Sequence, residues 1–357
     1  MLFFPVLIWY NQSGISLLPA GLTGRLFIPE CIPAGGRTSR LQTKKEMAKC
    51  MKFDLICIGM ALVDSIIRGF QPDPVSASGY IAESCSLSAG GEAVNVSVAS
   101  AKLGLKTAIL CALGHDAAGT MVRQVLNQAG VDTGMIAESP GTPVTTMFVN
   151  RDGSRKSITN TAHQYNFHPE KLRLADTRAV LLGSLFRAPF DDPEIIRGVL
   201  AAAKAAGRIT LADTKLPNFR ILSLNDLRES LPLIDYITPN EDEARYFTGR
   251  EDPEAMADVF LEYGVRNVII KLGGKGCLLK NAEETIVLPG FSIRAVDATG
   301  AGDNFGAGFI SELLRGKPNE EALQFANACG AICTTAVGAS AALQNRQQVL
   351  DWMKSRI

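Results

Sequence analysis

Residues 297–309 read DATGAGDNFGAGF. Four of the thirteen are glycine, and Asp303 stands among them with no basic residue close by. Gly300, Ala301 and Gly302 carry little or no side chain. Their backbone N–H groups can therefore face a ligand at the first turn of a helix that continues through Phe309 and Leu313. Those N–H groups have no intrahelical partner, and the helix dipole adds positive potential there, so the turn suits an anion. Asp303 has two readings: an ordinary first-turn acid, or an acceptor for the proton of an attacking hydroxyl. The dipole is expected to lower its pKa, keeping it ionised but weak as a base. Phosphoryl transfer tolerates a weak base, because positioning matters most in its loose transition state. A helix start needs no glycine run merely to seat an acid, which favours the second reading.

Upstream of this stretch the chain alternates. FDLICIGM is a short apolar run, NVSVASAKLG has helical spacing and ends at Gly104, KTAILCALG is strand-like, and AGTMVRQVLNQAG is helical and closes at Gly130. The pattern resumes with RAVLLGSLF, DPEIIRGVLAAAKAAG, ITLADTK, DYITPN, EDEARYFTG and RNVIIKLGG, and the last third is helical. Strands alternating with helices of this length predict an α/β fold with a mostly parallel sheet covered on both faces. Two stretches interrupt it. Residues 65–89 hold short strand-like pieces between Pro and Gly, and 144–160 read as a hairpin turning at Asp152-Gly153. Together they suit a small sheet projecting over a cleft.

With 46% hydrophobic and 20% charged residues among 357, the chain is globular rather than disordered. Its 36 basic residues equal its 36 acidic ones, so nothing suggests a nucleic-acid or membrane partner. The eight cysteines are scattered without CxxC spacing, which suits reduced thiols in the cytoplasm. Three histidines and no HExxH leave little room for zinc chemistry. Residues 1–50 look different. They open on LFFPVLIWY, too short to span a bilayer, and continue polar and aperiodic. Lys44, Lys45 and Glu46 require purine codons and stand just before Met47, like a translated ribosome-binding sequence. The expectation is a start at Met47 or Met51, with 1–50 a misread or non-structural leader and 51–357 one catalytic domain.

Rival phosphate motifs are missing. No GxxxxGK[ST] occurs, GMALVD rather than GxGxxG follows the first strand, and neither HRD nor DFG is found. DATGAGDNFGAGF instead resembles the C-terminal signature of the ribokinase-like, or PfkB, carbohydrate kinases, and AGGEAVNVSVASAKLG at 89–104 resembles their N-terminal glycine signature. The resemblance covers roughly residues 52–355. It implies a three-layer α/β sandwich with a small β-sheet lid that often mediates dimerisation. The implied activity is transfer of a phosphoryl group from ATP, with Mg2+, to a sugar or nucleoside hydroxyl. Carried over, Asp303 matches the general base, and Gly300, Ala301 and Gly302 match the anion hole. Asp64, Gly90, Gly91 and Asn95 match the sugar pocket. TPNEDEARYFTG matches the Asn-x-x-Glu element, so Asn240 and Glu243 would organise Mg2+ and phosphate, with oxygen groups suited to a hard cation that keeps its waters. KLGGKG, with Lys271, Gly273 and Gly276, resembles the nucleotide-side turn, and Asn327 would neighbour the adenine. Asp297 and Thr299, with carbonyls near 337–341, resemble the monovalent-cation (K+) site of many members.

The substrate is less legible. Where ribokinases usually carry a lysine after the glycine pair, this chain has Glu92. Arg155 and Lys156 on the lid segment could meet an acidic substrate, although a solvated hairpin tip is the simpler reading. A neutral hexose or pentose is the first expectation; 2-keto-3-deoxygluconate and a nucleoside follow. Two other classes compete: a non-catalytic sugar-binding regulator on the same fold, opposed by the intact Asp303 and glycine run, and a nicotinamide-dependent oxidoreductase, opposed by the missing fingerprint.

Overall fold

The structure, a computed structural model, describes residues 51–70, 81–150, 154–160, 168–218 and 220–356. The leader expected at 1–50 and the turn expected at Asp152-Gly153 lie outside the described residues. In chain order the elements begin with β1 (Phe53–Ile58), β2 (Leu62–Phe70), β3 (Ser84–Gly90), α1 (Glu92–Lys102), β4 (Thr107–Leu110), β5 (Ala112–Leu113) and α2 (Ala117–Gln128). The middle of the chain forms β6 (Ala137–Glu138), β7 (Val144–Asn150), β8 (Arg155–Thr159), β9 (Thr177–Leu185), α3 (Pro193–Ala205), β10 (Ile209–Thr214) and β11 (Tyr236–Ile237). It ends with α4 (Glu241–Thr248), α5 (Pro253–Glu262), β12 (Asn267–Lys271), β13 (Gly276–Asn281), β14 (Thr285–Pro289), α6 (Ala301–Leu314), α7 (Asn319–Cys333) and α8 (Arg346–Lys354).

An eight-stranded sheet runs in the order β14-β13-β12-β11-β10-β9-β1-β4, parallel from β4 to β12 and antiparallel over the last two strands. Its strands are buried on both faces, as the unbroken apolar runs predict. In β1, Leu55 and Cys57 join the core beneath α1, α6 and α7, while Ile56 and Ile58 join the core beneath α3 and α5. This is the expected three-layer α/β sandwich. A separate four-stranded sheet, order β3-β2-β7-β8, is built from the two interrupting segments. Among the described residues no helix is long and apolar enough to cross a membrane.

Two elements differ from the sequence reading. The strand expected over DYITPN shrinks to Tyr236–Ile237, because Pro239 has no N–H to donate and Asn240 turns the chain into α4. The helix expected from Asn95 starts at Glu92, directly after Gly91 reverses the chain at φ 95°. Glu92 therefore sits in its first turn, beside the glycine pair.

Candidate active site

The carboxyl ends of β9, β10, β11 and β12 converge on the first turn of α6, the edge where open α/β sheets bind ligands. Gly300 caps that helix at φ 76°, and a Cβ there would collide with Ala339. Only glycine satisfies both demands. Asn304 fixes the loop against the helix, its amide donating to Gly300 O (2.8 Å) and Ala339 O (2.7 Å). Ala301 and Gly302 follow, and a Cβ on Gly302 would lie 3.2 Å from Lys271 Nζ. An ammonium thus stands against the bare first turn.

Asp303 accepts a 2.7 Å hydrogen bond at Oδ2 from Asn95 Nδ2. That bond joins the two glycine-rich stretches, 208 residues apart in sequence. Burial and the Glu92 carboxylate, with Asp213 adding to them, push the Asp303 carboxyl up to about 7, against the opposing pull of Lys215. The expectation of a lowered pKa is therefore wrong in sign: a helix dipole stabilises an anion by a small amount, whereas lost hydration and two neighbouring acids oppose it together.

Asp64 lies on β2 across from Ser88, and a Cβ on Gly90 would collide with its Oδ2. Gly90 is bare because that carboxylate needs the room. Burial and Glu92 raise Asp64 to about 6, with Lys215 opposing. Glu92 itself is clamped. Its Oε2 accepts from Ser184 Oγ (2.5 Å) and its Oε1 faces Lys215 Nζ at 3.0 Å. Burial would raise Glu92, but Lys215 and the Ser184 hydroxyl overcome it and hold the carboxyl near 2.

On the other side, Asn240 and Glu243 form a capping box at the start of α4. Asn240 Oδ1 accepts from Glu243 N (2.9 Å), and Glu243 Oε2 accepts from Asn240 N (3.0 Å) and from Thr214 Oγ1 (2.8 Å). Glu243 is nevertheless buried, and burial lifts its pKa despite Lys271. Lys271 donates to Asp213 Oδ1 at 2.7 Å, and both side chains are nearly enclosed. Asp213 also accepts from Thr238 Oγ1 (2.9 Å).

Gly273 and Gly276 form the turn after β12, and Gly276 packs against the backbone of Leu288. Asn327 on α7 reaches Pro289 O at 3.4 Å, apart from the acids just described. Asp297 Oδ1 accepts from Thr299 N (3.0 Å) and Oγ1 (2.7 Å), its Oδ2 accepts from Gly338 N (3.0 Å), and Arg68 stands 4.0 Å away. Among the described residues no cluster of three or more His, Cys, Asp or Glu has metal-binding geometry. The sequence reading missed Asp213, Lys215 and Ser184, and noted Glu92 only as a departure. The trace was there in ITLADTK, whose charged pair falls at the carboxyl end of a strand.

Lys156 shares a face with Phe148 and Ile67, opposite the face that carries Asp64. It does not line the cleft, which leaves the solvated reading for it.

The comparisons with known proteins agree with this architecture. Residues 47–346 match the pfkB family of carbohydrate kinases. The chain is 32% identical over 272 residues to a ribokinase of Haemophilus influenzae, covering 74% of this chain and 87% of that one. It is 31% identical over 257 residues to an ATP-dependent ribose-1-phosphate kinase of Halopiger xanaduensis, covering 71% and 83%. An Arabidopsis thaliana ribokinase complexed with ribose and ATP superposes with a TM-score of 0.74 at 27% identity, over 85% of this chain and 99% of that one. A putative ribokinase II from E. coli in complex with ATP and Mg2+ superposes with a TM-score of 0.70 at 26% identity, over 85% of this chain and 99% of that one. With the match spanning nearly the whole described chain and the acid, glycines and helix start in one cleft, the protein belongs to the pfkB carbohydrate kinase family and is a sugar kinase, a phosphotransferase with an alcohol group as acceptor.

Proposed function

We propose that this chain transfers the γ-phosphoryl group of ATP to a hydroxyl of a neutral hexose or pentose, with Asp303 as general base. The observation that carries this reading is the Asn95–Asp303 hydrogen bond, which ties the sugar side of the cleft to the acid at the anion-binding turn. Asp64 and Asn95 orient the sugar, with Gly90 and Gly91 leaving room for its ring. Asp303 takes the hydroxyl proton as the sugar oxygen bonds to phosphorus and the bond from phosphorus to the ADP oxygen breaks. A carboxyl near pH 7 is well matched to that task. The Gly300, Ala301 and Gly302 amides and the Lys271 ammonium stabilise the equatorial charge.

Mg2+, when bound, neutralises phosphate charge. Asn240 and Glu243 fit an indirect role toward it, since Glu243 Oε2 already holds two hydrogen bonds and, among the described residues, no acid cluster offers direct ligation. Gly273, Gly276 and Asn327 would border the nucleotide. Asp297 and Thr299 are our candidates for a K+ site, although Thr299, Gly338 and Arg68 already serve the Asp297 carboxylate and no step depends on K+. We further propose a cytoplasmic homodimer joined through the small sheet, whose face opposite Asp64 exposes Leu87 and Ile158.

The test is ADP release from MgATP across neutral sugars, sugar acids, sugar phosphates and nucleosides, with protein started at Met51. A strong response to one neutral sugar supports the reading. ATP binding without turnover of any acceptor would instead favour a regulatory role.

A further inference from the structure

The clamp on Glu92 takes no proton from the acceptor, although its charges act on Asp303, and it is more elaborate than a surface ion pair. Glu92 follows directly on the glycine pair that makes room for Asp64, and Asn95, three residues later, holds Asp303. The acceptor sugar must therefore lie against Glu92. Its carboxylate is fixed from two strands: Lys215 reaches it from just beyond β10 at 3.0 Å, and Ser184 from the end of β9 at 2.5 Å. Ser184 holds φ 64°, a left-handed conformation costly for a residue with a side chain. Strain of that kind persists where the surroundings dictate it, and here it aims the hydroxyl at Glu92.

Among the described residues, the cations beside the cleft face acids. Lys215 faces Glu92, Lys271 donates to Asp213, and Arg68, on the same face of the small sheet as Asp64, lies 4.0 Å from Asp297. What the cleft offers a substrate is carboxylate acceptors, on Asp64, Glu92 and Asp303. Sugar hydroxyls donate to such groups, whereas a phosphate or carboxylate would meet like charge, with Lys215, Lys271 and Arg68 already facing acids.

We propose that the Ser184–Glu92–Lys215 assembly is a charge filter of the sugar pocket: by holding the Lys215 ammonium on Glu92, it admits an uncharged sugar and rejects sugars that carry a phosphate or carboxylate. This rests on the sugar-kinase reading and sharpens it to a mechanism of selection, because like-charge juxtaposition and a withheld partner are how a site discriminates against a near relative of its substrate.

The test measures kcat/KM with MgATP for neutral and phosphorylated pairs drawn from ribose with its 1- and 5-phosphates, fructose with its 1- and 6-phosphates, and glucose with its 1- and 6-phosphates, so that one ester of each sugar leaves the acceptor hydroxyl free. The native chain should favour the neutral member of whichever pair it accepts. Glu92→Gln frees Lys215 and should move the ratio of phosphorylated to neutral turnover upward by about tenfold or more. Adding Lys215→Met to that variant should erase the gain, which mere loosening of the pocket would not do. Ser184→Ala keeps every charge and should shift the ratio the same way by about two- to threefold, so the filter stays testable if Glu92→Gln folds poorly. An unmoved ratio in these variants overturns the filter, as does a gain that survives loss of Lys215. Preference of the native chain for a phosphorylated sugar overturns the filter and leaves the kinase chemistry standing. Turnover of no neutral sugar, here or across the wider panel, overturns both.

Discussion

The two ends of α6 each carry an acid, and the acids behave oppositely. Glu312, in the last turn, is 3% exposed, yet its carboxylate accepts from Arg346 Nε (2.8 Å) and Nη2 (2.7 Å), with Arg315 3.6 Å away. Burial would raise it, but Arg346 wins and its pKa falls. Asp303, in the first turn, is also withdrawn from water, and its pKa rises to about 7. It has one amide donor and a neighbourhood of acids. Burial pushes both acids up, and only Glu312 has partners that overturn it. A buried acid with its own arginine is structure; a buried acid crowded by other acids and left one donor is a site held in readiness.

Removing the two acids should separate those roles. Asp303→Asn should lower kcat by about 10²–10⁴-fold with little change in sugar affinity. A near-normal rate would take Asp303 out of the base role and reduce the two ends of α6 to variants of one theme. Asp64→Ala should act on binding instead, raising the sugar KM by about 10–100-fold, the loss of hydrogen bonds to a charged group. The slow ATPase without sugar should stay as it was. Unchanged sugar affinity would mean that the acids beside Gly90 do not face the acceptor.

At the far end, Glu312→Gln should cost about 2 kcal/mol of stability in urea melts, less than for a fully enclosed pair because Arg346 stays partly in water. Turnover per folded molecule should be native. A kinetic defect without a stability defect would reverse the assignment of the two ends.

Much of this was legible in the sequence. The alternation gave the parallel sheet, since βαβ units leave little topological choice, and the glycines at 300 and 302 announced a helix start with exposed amides. Asp303 was legible as a position but not as an acid of raised pKa. Its charge state depends on Glu92 and Asp213, which meet it only through the fold. The Glu92–Lys215 pair was hidden for the same reason, its members standing 123 positions apart with no motif to link them. The capping box at Asn240 shows the opposite limit. Its spacing matched the family element and an ordinary helix start equally well, because the local geometry is the same for both.

The sharpest contrast comes from pH, because the two acids should carry opposite signatures. An acid whose folded pKa is raised binds more proton in the folded than in the unfolded state between about pH 4 and 7, so its contribution to stability declines as pH rises through that window. An acid whose folded pKa is lowered contributes fully above its unfolded pKa and loses that contribution as pH falls through the folded value. Asp303→Asn should therefore gain stability relative to the native chain on going from pH 5 to pH 8, by about 2–3 kcal/mol. The deficit of Glu312→Gln should instead be largest near neutrality and shrink as pH drops below about 4. Native turnover should fall as the pH is lowered through about 7, where Asp303 takes up its proton. Parallel urea melts of both variants across that range decide the matter. Curves for Asp303→Asn and the native chain that stay a fixed distance apart would mean that Glu92 and Asp213 do not load Asp303, and the contrast between the ends of α6 would lose its electrostatic basis.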